Sequence, residues 1–337
     1  MSEADAVAAV LWLGATMYAV FGGADFGAGF WALVAGGGER GKRPRELISW
    51  AIGPVWEANH VWLIFVLVVL WTAFSGAFAA IMSTLFIPLC LAALGIVLRG
   101  SGFAFQKVVT GPTQRRLAEA AFAISSVLTP FFMGTVVGGI ASGRVPTGNA
   151  QGDAVTSWLN PVSLLIGALF VAAGAYVAAV FLVSDARRFG DPELERYFAN
   201  RALAAAVAAG AVAFAGIFVL RADARYMYDG LTSEGLPLVL ASAAFGLGAL
   251  VLLWRGARRG VRPLAVGAVV AVIWGWGAAQ YPYLLPKTLK IADGAAPSET
   301  LTAVLIVFGV AVVVVLPSLG LLYTLSQRSV LDEEAEG

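Results

Sequence analysis

The sequence predicts an all-α protein that crosses a membrane nine times, and three observations carry that prediction. The 337 residues are 59% hydrophobic and only 13% charged, with a mean hydropathy of +0.83, outside the range of a water-soluble domain. Apolar runs of about 20 residues recur, each long enough to cross a hydrocarbon core of about 30 Å as a helix. The runs do not alternate polar with apolar residues as the strands of a membrane barrel would, and a helix is the remaining element that satisfies its own backbone inside a bilayer.

Polar breaks divide the apolar runs into spans over residues 5–35, 47–71, 77–98, 119–141, 160–184, 202–220, 235–254, 264–283 and 300–325. All belong to one integral membrane domain, 1–337, that closes in a tail, 326–337. The first span runs into Arg40, Lys42, Arg43 and Arg45, while the second is followed by a connection with no basic residue. The third is followed by Arg99, Lys107, Arg115 and Arg116, and the fourth by Arg144 alone. After the fifth come Arg187, Arg188, Arg196 and Arg201; after the sixth, Arg221 and Arg225. The seventh precedes Arg255, Arg258, Arg259 and Arg262, the eighth Lys287 and Lys290, and the ninth Arg328. Seventeen of the 22 basic residues thus fall on one side, which predicts an external N-terminus and a cytoplasmic C-terminus. One missed or invented span would scramble that alternation, and no Lys or Arg is left inside a span.

Composition also excludes several chemistries. Cys90 is the only cysteine, so an internal disulfide, a cysteine-held iron–sulfur cluster and a cysteine zinc site are ruled out. A net charge of +1 does not suit a nucleic-acid partner. The first basic residue is Arg40, so the N-terminal apolar run is expected to be a retained helix and not a cleaved signal. The acidic tail, Asp332, Glu333, Glu334 and Glu336, is expected to be a solvated end, and the external connection from Tyr281 to Glu299 either a plain loop or a partner-docking segment.

Asp25 and Glu57 stand apart because they lie inside apolar runs. A charged side chain at the centre of a membrane helix costs roughly 2.5 to 3.5 kcal/mol on the insertion scale, so acids kept there point to proton or ion handling. Both should lie about 15 Å from the cytoplasmic boundary on adjacent antiparallel helices, where they could share one site and pass a proton. Asp25 sits in Gly22-Gly23-Ala24-Asp25-Phe26-Gly27-Ala28-Gly29, and Gly22 and Gly29 share its helix face. A neighbouring helix can approach there, and Gly23 with Gly27 also forms a small-xxx-small packing pair. Glu57 follows Gly53-Pro54, whose proline leaves a carbonyl one turn earlier open to water. His60 lies one turn beyond Glu57, while Trp56, Asn59 and Trp62 crowd the same segment, the tryptophans equally suited to ordinary packing. His60 is the only histidine, which leaves at most one imidazole for a haem and suits a hydrogen-bonding or relay role better.

The segments GGADFGAG from Gly22, PVWEANHVWLI from Pro54, RGSGFAF from Arg99, YPYLLP from Tyr281 and PSLGLLYT from Pro317 resemble subunit II of the cytochrome bd quinol oxidases, in order along nearly the whole chain. The resemblance implies a terminal respiratory oxidase of a bacterial or archaeal cell membrane, whose larger partner, subunit I, carries haems b and d and oxidises quinol. This chain would then be a scaffold with no catalytic residue and no bound cofactor or metal. It would have two four-helix bundles, 5–141 and 160–283, and a ninth helix, 300–325. A small single-helix accessory subunit, lipid and quinone are further partners the family implies.

By position, Asp25 matches the family's first-helix acid, Trp56 its tryptophan, and Glu57 a site where some members carry aspartate. Arg99 matches an arginine at the end of the third helix, and Glu119 an acid at the start of the fourth, at the cytoplasmic mouth. The resemblance makes Asp25, Glu57, His60 and Glu119 a proton pathway supported by Trp56, Asn59, Trp62 and Arg99. His60 replaces a frequent glutamine, and Gly22 replaces a second acid of some members. The same acids would also suit a proton-coupled secondary transporter with its site at the broken helices around Asp25 and Pro54.

Overall fold

The structure, a computed structural model, describes residues 2–36, 38–52, 56–108 and 111–327. It is helical apart from one short hairpin. Helix α1 (Glu3–Met17) opens on a capping box in which Ser2 and Asp5 each take a backbone N–H of the other. It runs through a π-helical turn, Tyr18–Gly22, into α2 (Gly23–Ala35), which stops at Gly36 with a φ of +75°. The wider turn re-aims every side chain after it, and Asp25 is among the first.

The expected second and third spans are reorganised. The polar helix α3 (Glu39–Ile52) takes the start of residues 47–71 and buries Leu47 and Ile48, and α4 (Trp56–Ala73) supplies the apolar remainder. The chain then turns by 119° at Phe74 into α5 (Ser75–Thr84), and α6 (Phe86–Val108) follows. Phe74 is fully buried, and the Ala73 carbonyl accepts the Ala296 amide, so the break leaves that carbonyl paired. Residues 77–98 are therefore shared between two helices instead of forming one.

The remaining helices start where the sequence supplies caps. Pro112 opens α7 (Pro112–Ala141), Asn160 caps α8 (Pro161–Arg188) through the Ser163 amide, and Asp191 caps α9 (Pro192–Asp223) through the amides of Glu193 and Leu194. The Leu194 amide and then the Arg43 guanidinium hold the Asp191 carboxyl below the usual range, tying α3 to the start of α9. After α10 (Arg225–Thr232) come α11 (Leu236–Trp254) and α12 (Val261–Gln280). The hairpin β1 (Tyr283–Leu285) and β2 (Leu289–Lys290) leads through α13 (Ile291–Gly294) to α14 (Ser298–Gln327). The segment expected to be a loop or a docking arm is thus folded, with Leu285 and Ile291 buried against α1 and α5.

Among the described residues, seven helices are long and apolar enough to cross a membrane, or eight if α4 and α5 count as one bent span. α6 adds only a shorter apolar stretch, Phe86–Gly102. α2 packs on both α7 and α8, α6 lies along α7, and α8 lies along α9. The closest approach is at Gly27, where a Cβ would lie 2.0 Å from the Gly174 carbonyl oxygen of α8. Gly23 faces the same glycine, so this pair serves helix packing.

Candidate functional site

Asp25 meets its counter-charge where α2, α6 and α7 pack together. Arg99 of α6 donates from Nε to Asp25 Oδ2 at 3.2 Å and from Nη2 to Oδ1 at 2.7 Å. Nη2 also reaches the Asp25 carbonyl at 2.8 Å, and Nη1 donates to Ser126 Oγ of α7 at 2.6 Å. Both charged side chains are 1% exposed. The guanidinium lies over two rings, 4.8 Å from the centroid of Phe26 and 4.3 Å from that of Phe122. A planar fork that spans a carboxylate, a carbonyl and a hydroxyl and lies over aromatic rings uses features that separate arginine from lysine.

The sequence reading placed Arg99 in a cytoplasmic connection and kept all spans free of basic residues. The structure corrects this: Arg99 lies well inside α6 and is buried. Charge is tolerated there because a carboxylate, a carbonyl and a hydroxyl satisfy it together. Gly29 makes the arrangement possible, since a Cβ on it would lie 2.0 Å from Ser126 Oγ and 2.9 Å from Arg99 Nη1.

The other expected residues take different places. His60 of α4 packs edge-on against Phe26, with centroids 6.1 Å apart, and so touches the ring that flanks Arg99. Glu119 is half-buried on α7, seven residues before Ser126, or about 10 Å along the axis. Trp62 packs against Phe65 of its own helix at 6.4 Å. Trp56, Glu57 and Asn59 belong to α4, but their side chains lie outside the described residues, so the pairing of Glu57 with Asp25 is not placed.

Sequence reasoning missed Ser126, Phe26 and Phe122. Phe122 and Ser126 are one turn apart on α7, a spacing that puts them on one face, but nothing local shows that the face meets Arg99. Two further hydroxyls, Tyr18 Oη in the π-helical turn and Thr129 Oγ1 one turn beyond Ser126, are buried without a hydrogen-bond partner among the described residues. Gly95, one turn before Arg99, lies against Thr129. Glu119, Ser126 and Thr129 thus follow one another along α7, with Phe122 between the acid and the ion pair at Ser126.

Among the described residues, seven or eight helices long and apolar enough to cross a membrane, packed around a buried ion pair, define a multi-pass membrane protein. The chain belongs to the cytochrome bd terminal oxidase subunit II family, whose description matches residues 4–326. It is 21% identical over 320 residues to a Bacillus subtilis protein provisionally named a cytochrome bd menaquinol oxidase subunit II, covering 91% of each chain. It is 28% identical over 214 residues to subunit 2 of the cytochrome bd-I ubiquinol oxidase of Escherichia coli K12, 60% of this chain and 53% of that one. The fold is similar to the solved bd oxidase structure from Geobacillus thermodenitrificans, with a TM-score of 0.75, 26% identity and coverage of 96% of this chain and 98% of the other.

Proposed function

We propose that this chain is the haem-free subunit of a quinol:oxygen oxidoreductase complex, scaffolding a larger haem-bearing subunit I and leading cytoplasmic protons toward it for the reduction of oxygen to water. The observation that supports this most is the buried Asp25–Arg99 pair, with Glu119 about two turns before the Ser126 that Arg99 contacts. A proton arriving from the side of Glu119 meets the Asp25 carboxylate, and accepting it loosens the two side-chain bonds from Arg99. Arg99 stays in place through the Asp25 carbonyl and Ser126, so the pair closes again once the proton leaves. Glu57 and His60, one turn apart on α4, belong to the same proposed route, with Trp56, Asn59 and Trp62 around them. Family membership in an oxidase disfavours the transporter reading.

The donor set does not suit a haem in this chain. The single imidazole, His60, lies edge-on to Phe26 and leaves no second histidine for a two-histidine haem site. We therefore assign haems b and d to the partner and derive no step through them. Quinol is the substrate of the complex, and lipid, quinone and a small accessory subunit are its other proposed associates. In the assembled, purified oxidase, Glu57→Gln, Glu119→Gln and Asp25→Asn should each lower quinol-driven oxygen uptake per haem, on the order of 10²-fold for the strongest. Unchanged uptake in all three would remove the proton role and leave the family assignment standing.

The same proposal takes nine spans in two bundles, 5–141 and 160–283, with a ninth helix at 300–325, an external N-terminus and a cytoplasmic C-terminus. The unequal distribution of arginine and lysine supports it. A fluorescent reporter fused after Gly337 should light up, as one that folds only in the cytoplasm does. An alkaline phosphatase fused there should stay inactive, and the reverse pattern would invert the topology.

A further inference from the structure

At the end of the bundle where α8 gives way to α9 and α11 to α12, a cleft of about 480 Å³ opens among charged side chains. Val180, Val183, Leu253 and Val261 form an apolar wall, while Arg187, Arg196, Arg258, Arg259 and Arg262 surround it with Glu195 as the one lining acid. Two of the five arginines are committed. Arg187 binds Glu195 at 2.7 Å and reaches the Ala257 and Arg258 carbonyls at 3.3 Å, fixing the loop between α11 and α12. Arg262 binds Asp185 at 2.9 Å and the Phe181 carbonyl at 2.7 Å, while its Nε is buried without a partner among the described residues.

The other three have no such balance. Among the described residues Arg196, Arg258 and Arg259 make no ion pair, although Asp185, Asp191 and Glu193 at the same end are each taken by another arginine. Three exposed guanidinium groups without ion pairs thus line a cleft whose wall is apolar, at the level where four apolar helices begin or end. A guanidinium fork matches the oxygens of a phosphate, and the boundary of the hydrocarbon layer is where phosphate esters of lipids lie.

We propose that this cleft binds a phosphate-bearing anion, either the headgroup of an anionic phospholipid or a soluble phosphate. The Arg196, Arg258 and Arg259 side chains hold the phosphate, Arg187 and Arg262 set the frame, and the valine and leucine wall takes the first carbons of a lipid tail. The site lies on α8, α9, α11 and α12, apart from the ion pair on α2, α6 and α7, and does not depend on the proton route.

The test uses the assembled oxidase, delipidated in detergent and followed by native mass spectrometry. Dioleoyl-phosphatidylglycerol should add with a clear preference over dioleoyl-phosphatidylcholine. The triple variant Arg196→Gln, Arg258→Gln, Arg259→Gln should lose that preference, with affinity for phosphatidylglycerol down roughly tenfold or more, since each basic side chain contributes to anionic-lipid attraction. The triple lysine variant should keep most of it, and Arg225→Gln, whose guanidinium pairs with Asp229 elsewhere, should behave as the parent. Displacement of the lipid by millimolar inorganic phosphate would support the site and name a soluble phosphate as its ligand; retention of the lipid would support it and name the headgroup. Equal uptake of the two lipids, or unchanged binding in the triple glutamine variant at normal haem content, would overturn the proposal.

Discussion

Arg99→Leu is expected to strip the protein from the membrane. The change leaves the Asp25 carboxylate, 1% exposed, without the side chain that supplies its two hydrogen bonds, and it takes from Ser126 the donor its hydroxyl oxygen accepts. Removing one partner of a buried ion pair typically costs about 3–5 kcal/mol, most of it the penalty of the charge left behind. Arg99→Lys should be intermediate: it restores the charge but cannot span both carboxylate oxygens, the Asp25 carbonyl and Ser126 together. The double change Asp25→Leu with Arg99→Leu should recover part of the loss, since apolar replacement of both partners is often close to neutral. Immunoblotting of membranes and the midpoint of thermal aggregation in detergent check the series. Wild-type accumulation of Arg99→Leu would mean that the pair carries no structural weight.

Gly27→Val should separate two helices. A Cβ there would lie 2.0 Å from the Gly174 oxygen, 2.4 Å from its carbonyl carbon and 2.8 Å from the Ala175 nitrogen, all backbone atoms that cannot swing aside. α2 would have to lift from α8, which would also break the 2.8 Å hydrogen bond from the Trp31 indole to the Ala175 carbonyl. The expected destabilisation lies at or above the upper end of the about 1–3 kcal/mol seen for overpacked cores. Gly210→Ala, which meets nothing within 4 Å, is the control and should melt with the parent. If Gly27→Val melts there too, α2 and α8 do not cross at this point.

Much of the local structure was legible residue by residue. Asn160 before Pro161 and Asp191 before Pro192 announce helix starts, because a side-chain oxygen takes orphan amides and the proline needs none. Gly36 announces an end through its left-handed backbone. Polar breaks put a connection between residues 71 and 77, and the chain does turn there, at Phe74; what the sequence hid is that the Ala73 carbonyl is paired by an amide of Ala296, far along the chain. The folding of the segment before α14 was hidden for the same reason, since Leu285 and Ile291 are buried by helices from the other end of the sequence.

At the site, the sequence singled out Asp25, Glu57, His60 and Glu119 with Arg99 as a support, but set Arg99 in a connection and not on Asp25. An arginine in an apolar run looks like the end of a span, because a lone charge is expensive in the bilayer. Its cost falls only when a partner is known, and that partner lies 74 residues away. By itself the sequence determined the class of protein, its family and the acids worth testing, since composition and periodicity act within a few residues. Only the tertiary structure decided that Asp25 is matched by Arg99 and Ser126, that Phe26 and Phe122 enclose them, and that glycines let the helices close in. Those outcomes depend on which helix faces meet, and contacts between distant segments leave no local mark in the chain.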